Sequence, residues 1–282
     1  METDVPALFD RPVFIIAPPR SGTTLLFGLL ARARGVWTIG GESHCVIEAV
    51  ETLQARARGW ESHRLTAADA DPGTVHRLAA GFGARLRDRE GNRPPAGAAG
   101  LRFLEKTPRN CLRVGFLAAA FPDARFIHLY RDPRETVSSM LDAWRSGRFV
   151  TLPDLPGWPG PPWSLLLVPG WRALAGREPA EIAARQWAAA TDHLLDDLER
   201  IPPARRCVAR YDRLVADPQA EAERLCAWMG VAWDQAVSAP LPPSRSTLTP
   251  PGREKWRRNG EALERALPLV ADTAARAAGW AA

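Results

Sequence analysis

The sequence predicts an α/β fold, a central parallel sheet flanked by helices in a single domain with helical and loop insertions. Three observations carry this. Apolar, strand-like runs at 13–16, 101–106 and 126–130 each lead directly into a helical pattern, and repeated strand–helix units favour parallel pairing. Each run stops close to a cationic side chain, Arg20, Lys106 or Arg131, at the carboxyl ends where open parallel sheets bind ligands. The 282 residues, 46% hydrophobic and 24% charged, suffice for one large core.

The first run, Val13 to Ile16, ends at Pro18 and Pro19, and a helical pattern starts at Leu25 and Leu26. Between them, Arg20, Ser21, Gly22, Thr23 and Thr24 gather a guanidinium, hydroxyls and the unpaired N–H groups of a helix start, a set suited to a phosphate-like anion. The loop is not a Walker A motif, because it lacks the first glycine and the Gly-Lys-Ser/Thr ending. Next, Gly40 and Gly41 free the chain to turn before Glu42 and His44, and Val46, Ile47, Val50 and Leu53 form an amphipathic helical pattern. Glu42 and His44 are thereby expected at a helix entrance beside the anion loop.

Residues 59–100 read as a peripheral excursion with a helix over 74–89 and a loop over 91–97. The strand ending at Lys106 is followed by Thr107 as N-cap, Pro108 at the first helical position and a helix through Leu112, Phe116 and Leu117. The strand ending at Tyr130 is followed by Arg131, then by Asp132 as N-cap, Pro133 and Glu135. Ser139 lies two helical turns beyond Arg131, so guanidinium and hydroxyl are placed to grip a second anion.

The proline-rich stretch 151–170 carries Trp158 and Trp163, with Trp171 just beyond, and reads as an ordered apolar loop over an acceptor pocket. A helix follows over 181–199, with His193 structural or exposed, and His128 belongs to the core. The last strand covers 207–211, and a helix capped by Asp217 stops at Gly230. The tail 244–258, with Lys255 and Trp256, is polar and basic.

These residues resemble the sulfotransferases that use 3′-phosphoadenosine 5′-phosphosulfate (PAPS), over most of the chain. The stretch Pro19 to Thr24 is similar to their 5′-phosphosulfate loop, and Arg131 to Ser139 to their 3′-phosphate motif. The resemblance implies a P-loop-like sheet in a domain over 11–282, with insertions near 56–100 and 146–180, and no metal requirement. It implies that Arg20, Ser21, Gly22, Thr23, Thr24, Arg131 and Ser139 hold the nucleotide, that Tyr211 lies beside the adenine and that Lys255 helps close the site. Lys106, at a strand end facing the same rim, is placed to steady the bridging oxygen or the sulfuryl group, with a surface salt bridge as the alternative. Cytosolic small-molecule members carry Lys-Thr-His where this chain has Lys106, Thr107 and Pro108, and proline takes no proton. The segment Gly41 to His44 instead resembles the Gly-Glu-Glu-Thr-Arg segment of tyrosylprotein sulfotransferases after a one-residue insertion. Glu42 is therefore the first candidate for the general base, with burial raising its pKa, and His44 the second.

Sulfuryl transfer to a hydroxyl, or less readily an amine, would release adenosine 3′,5′-bisphosphate. The tryptophans point to a small-molecule or peptide acceptor of hydrophobic or aromatic character. The alternatives are a P-loop-type kinase using Mg-ATP, disfavoured by the missing Walker lysine, or a catalytically silent nucleotide-binding module. The net charge of +5 suits an anionic ligand, but the arginines form no dense stripe of the kind that binds nucleic acid. Cys45, Cys111, Cys207 and Cys226 show no paired metal spacing and read as buried thiols of a reducing compartment. An acidic start at Met1 to Asp4 and the lack of a long apolar run give the expectation of a cytoplasmic protein without a membrane span. Oligomeric state is open.

Overall fold

The computed structural model describes residues 8–249, 252 and 254–282. The acidic start at Met1 to Asp4, and Pro250, Pro251 and Arg253 of the basic tail, lie outside the described residues. The strands of the main sheet are β1 (Val13–Ile16), β2 (Val36–Trp37), β3 (Arg102–Lys106) and β4 (Arg125–Tyr130), joined after a two-stranded hairpin of β5 (Val150–Leu152) and β6 (Trp163–Ser164) by β7 (Arg206–Arg210). The main sheet runs β2-β3-β1-β4-β7 with every pair parallel. The principal helices are α1 (Thr23–Leu30), α2 (His44–Ile47), α3 (Pro72–Gly83), α4 (Val114–Ala120), α5 (Pro133–Ser146), α6 (Pro179–Glu199), α7 (Tyr211–Ala216), α8 (Pro218–Met229), α9 (Gly260–Ala266) and α10 (Ala271–Trp280).

Strand β1 is buried on both faces, as its unbroken apolar sequence requires. Val13 and Ile15 join Leu104, Ile127 and Leu129 in a cluster closed by Leu26 and Leu30 of α1 and Leu225 and Met229 of α8. Phe14 and Ile16 point the other way, into a larger cluster with Phe103, Phe126 and the faces of α3, α4, α5 and α6. Fully burying each such side chain is worth about 1.5–3 kcal/mol, so β1 is a fixed platform for the loop that follows it. Pairing aligns Ile15 with both Lys106 and Ile127, which brings the ends of β1, β3 and β4 to one edge.

Several local expectations are corrected. The helix expected over 74–89 ends at Gly83, because Arg87 pairs its backbone with Thr38 in both directions, at 2.8 and 2.9 Å. The pattern over Val46 to Leu53 is a single α-turn, α2, followed by 3-10 turns at Glu51–Leu53 and Ala55–Arg58, although its apolar residues are buried as expected. Thr107 does not cap a helix; Pro108–Leu112 is a 3-10 turn and α4 starts at Val114. Tyr211 opens α7 instead of closing a strand. Cys45 is exposed, unlike the buried Cys111 and Cys226, and all four cysteines are free.

The expected tryptophan wall is also absent from the pocket. Trp163 lies edge-on to Trp144, Trp158 and Trp171 at centroid separations of 5.2, 4.9 and 5.7 Å, and Trp163 and Trp171 are fully buried. Their indole N–H groups donate to the carbonyls of Leu166 and Trp60. The polar handle of each ring is thus satisfied inside the core, and the hairpin presents Thr151 and Leu165 to the cleft instead.

Candidate active site

The carboxyl edge of the sheet opens into a cleft of about 1200 Å³. Arg20, Gly22, Thr23, Thr24, Glu42, His44, Arg131, Ser139, Tyr211 and Lys255 all line it. Ser21 does not: its hydroxyl donates to the Pro18 carbonyl at 2.8 Å and closes the turn, which leaves its backbone alone for ligand contact.

The β1–α1 loop is wound tightly. Arg20 is a non-glycine residue in the left-handed region, at φ 71°, and Gly22 sits at φ 100°. A Cβ at Gly22 would lie 2.6 Å from two carbons of the Tyr211 ring. The glycine therefore lets the Tyr211 ring pack directly on the loop. The other side of this Tyr211 contact is electrostatic, since the Arg131 guanidinium carbon stands 4.2 Å from the ring centroid. At the start of α1 the Leu25 and Leu26 N–H groups donate to the Gly22 carbonyl at 3.0 and 3.2 Å, which leaves those of Thr23 and Thr24 for a ligand.

Arg20 bridges the β1–α1 loop and α5. Its Nε donates to Ser139 Oγ at 3.3 Å, its Nη1 donates to the Ser246 carbonyl at 2.9 Å, and its guanidinium lies 4.5 Å over the Phe149 ring. Burial and the neighbouring Arg131 lower its pKa to about 10, still fully charged at neutral pH. Arg131 is aimed by Glu135, which accepts from Nε at 2.8 Å, and its Nη1 reaches the Arg20 carbonyl at 3.1 Å. Lys255 donates to the Thr249 carbonyl at 2.8 Å, and burial together with Arg258 lowers its pKa.

Lys106, the last residue of β3, is 1% exposed. It is in a salt bridge, but a buried one: Nζ donates to Glu42 Oε1 at 2.7 Å and to Thr24 Oγ1 at 3.2 Å. The other carboxylate oxygen, Glu42 Oε2, lies 3.0 Å from His44 Nε2. Burial pushes the Glu42 carboxyl up, but His44 and Lys106 outweigh it and hold the group down at about 2. The rise expected from burial alone is therefore reversed. Burial also lowers His44, yet its contacts with Glu42 and Glu48 prevail and raise it above 6.5. Behind His44, Glu48 is paired with Arg109 and with the fully buried Arg113.

Sequence reasoning missed what holds Glu42 in place. Ser43 N–H donates to Thr107 Oγ1 at 2.7 Å, and Thr107 in turn donates to Glu105, a fully buried carboxylate also bonded by Asn110. This ties the turn that carries Glu42 to the end of β3. Ser246 was missed as well; its hydroxyl lies 3.4 Å from Thr24 Oγ1, so the tail rests on the anion loop. The signal for Thr107 was its place beside Lys106 at a strand end, which reads equally as a cap.

Among the described residues, no group of three or more His, Cys, Asp or Glu side chains is placed to hold a metal ion, and no helix is long and apolar enough to cross a membrane.

Protein-tyrosine sulfotransferase A of Caenorhabditis elegans is 25% identical over 227 residues, 80% of this chain and 51% of that relative, so the chain spans about half the length of the curated relative it matches. Among solved structures, the sulfotransferase domain from the curacin biosynthetic pathway superposes with a TM-score of 0.49 at 19% identity, covering 81% of this chain and 76% of that one. Sulfotransferase STF9 from Mycobacterium avium gives 0.49 at 18% identity, covering 92% of this chain and 69% of that one. The model of the sulfotransferase family matches residues 12–152 and 167–235. With most of its length matched in that way, the chain belongs to the sulfotransferase family.

Proposed function

We propose that the protein transfers a sulfuryl group from PAPS to a hydroxyl of a small-molecule or peptide acceptor, with Glu42 as general base. The observation that supports this most strongly is the convergence of Arg20 and Arg131 with the Thr24 and Ser139 hydroxyls around one cleft, with Lys106 buried behind its wall and paired with Glu42, which lines it. The cleft fits a bis-anionic nucleotide, because its cations sit in two groups bridged by Arg20. PAPS supplies an activated sulfuryl group on a phosphate leaving group; the residues supply positioning and charge.

Arg20, the α1 N–H groups and the Thr23 and Thr24 side chains bind the 5′ anionic end. Arg131 and Ser139 bind the 3′-phosphate, and the Tyr211 ring lies at the adenine end with Lys255 closing over it. Lys106 neutralises charge at the reacting centre through its place beside Thr24. Glu42 accepts the acceptor proton once Lys106 turns toward the incoming anion, which relieves the interaction that holds its carboxyl low. The contacts of Ser246 with Arg20 and Thr24 must open for the nucleotide to enter.

The test is transfer of label from ³⁵S-PAPS to a panel of hydroxyl acceptors by the wild type and by Glu42→Gln. Transfer by the wild type, reduced at least a hundredfold in the variant with bisphosphate affinity kept, is expected. Equal transfer by the variant would refute Glu42 as base.

A further inference from the structure

A second cavity, of about 570 Å³, lies beyond His44 and Arg109. It shares His44, Arg109 and Thr151 with the main cleft, so the two spaces meet beside Glu42. Its volume is in the range of small-molecule sites, and the nucleotide-binding residues do not line it.

The chemistry of its walls is specific. His63 is 4% exposed, and its Nδ1 accepts the Leu167 N–H at 2.7 Å. Burial and the nearby Arg109 and Arg113 keep this ring neutral, so its proton resides on Nε2, which has no hydrogen-bond partner among the described residues. Glu48 and Gln54 add polar groups on the same wall, with the Gln54 amide held 2.6 Å from the Glu48 carbonyl. The main aromatic surface is Trp60, held in the left-handed region at φ 60°, where bulky residues are rarely found. Glu48 and Gln54 are already engaged by Arg109, Arg113 and Arg56 and by each other, so the group a hydrocarbon or steroid tail would strand is the His63 Nε2–H. A hydroxylated ring pairs with that donor while its apolar face covers an indole.

We propose that this chamber is the acceptor-recognition subsite and that it takes a carbohydrate, a saccharide or the sugar end of a glycoside. The ring lies on Trp60, an oxygen accepts from His63 Nε2–H, and a hydroxyl at the chamber mouth reaches Glu42. The proposal rests on the sulfotransferase reading, because that reading is what makes the group at Glu42 an acceptor.

The test is saturation-transfer NMR on protein loaded with adenosine 3′,5′-bisphosphate, with methyl glucoside, methyl galactoside and maltotriose as probes against 2-naphthol and 1-octanol. Saturation of the ring protons of at least one saccharide is expected, competed by none of the hydrocarbon alcohols. Trp60→Gly removes the ring at a backbone position that glycine adopts freely, and Trp60→Leu keeps bulk without an aromatic face. Both are expected to weaken the signal at least tenfold, Trp60→Phe to retain it, and all to bind the bisphosphate as the wild type does. No saccharide signal, saturation of the hydrocarbon alcohols alone, or an undiminished signal in Trp60→Gly and Trp60→Leu would overturn the carbohydrate assignment. Failure of the wild type to bind the bisphosphate would overturn the donor reading instead, and the two failures are separately visible.

Discussion

Removing either partner of the Glu42–Lys106 pair stops the proposed chemistry, yet the two removals should differ sharply in stability. In Glu42→Ala the Lys106 ammonium, 1% exposed, keeps only the Thr24 hydroxyl at 3.2 Å among its described partners. Removing one partner of a buried ion pair costs about 3–5 kcal/mol. Glu42 is 31% exposed, so water enters the space it vacates and the lower figure, about 3 kcal/mol, applies. In Lys106→Met the stem volume remains, the ammonium no longer has to be desolvated, and Glu42 keeps His44 at 3.0 Å as well as solvent; the loss should be about 0–1 kcal/mol. For a chain of this size those values correspond to a fall in Tm of roughly 6–12 °C for Glu42→Ala and no more than about 4 °C for Lys106→Met. Because the Glu42 carboxyl is held below its ordinary 4.5, its contribution is complete above that pH and is lost as pH falls toward about 2. The difference between wild type and Glu42→Ala should therefore close below pH 4.5, and above 6.5 it should lose only the part that His44 contributes, keeping the part due to Lys106. Urea or thermal unfolding followed by circular dichroism measures it. Equal destabilisation by the two variants, or a Glu42→Ala deficit that persists unchanged at the acid end, would refute this account of the pair.

Three further outcomes follow from the same geometry. Gly22→Ala should cost about 1–3 kcal/mol and weaken nucleotide binding, since its Cβ meets the Tyr211 ring at 2.6 Å and its φ is 100°. In a Tyr211→Ala background only the part due to φ should remain, which a double-mutant cycle in urea reads directly. Thr107→Val strands the Ser43 N–H and should cost about 1–3 kcal/mol with a fall in kcat larger than any change in nucleotide affinity, measured by unfolding and steady-state kinetics. His44 is raised above 6.5 by Glu42 and Glu48 against burial, so its stabilising contribution is full below 6.5 and disappears as pH rises through its folded pKa; the stability gap to His44→Asn should shrink from pH 6 to pH 9, and kcat/KM should climb over that interval in the wild type alone.

Much of this site was legible because it depends on local chain chemistry. Arg20, Lys106 and Arg131 are found by locating where apolar runs stop, and the capping of α5 by Asp132, whose side chain accepts from the Arg134 N–H, is an adjacent-residue effect. Glu42 and His44 were found from a glycine-marked turn and a resemblance. What stayed hidden depends on contacts between distant segments. Nothing local distinguishes a Thr107 that caps a helix from one that receives the Ser43 N–H across 64 residues. The same holds for Trp163 and Trp171, whose proline-rich surroundings suggest a pocket lip until the cluster with Trp144 is seen. The sign of the Glu42 shift needed the positions of both Lys106 and His44, because burial alone acts in the opposite direction.

The central claim is that the cleft grips a nucleotide by both its 5′ and 3′ anionic ends. Calorimetric titration of the wild type and Arg131→Ala with adenosine 3′,5′-bisphosphate, AMP and Mg-ATP tests it most directly. Loss of charge-assisted bonds to the 3′-phosphate is worth about 1.5–3 kcal/mol, or roughly 10–150-fold in Kd. The account predicts magnesium-independent binding of the bisphosphate, weakened by that factor in Arg131→Ala, with AMP binding unchanged between the two proteins. Preference for Mg-ATP over the bisphosphate, with Arg131→Ala indistinguishable from wild type, would contradict it.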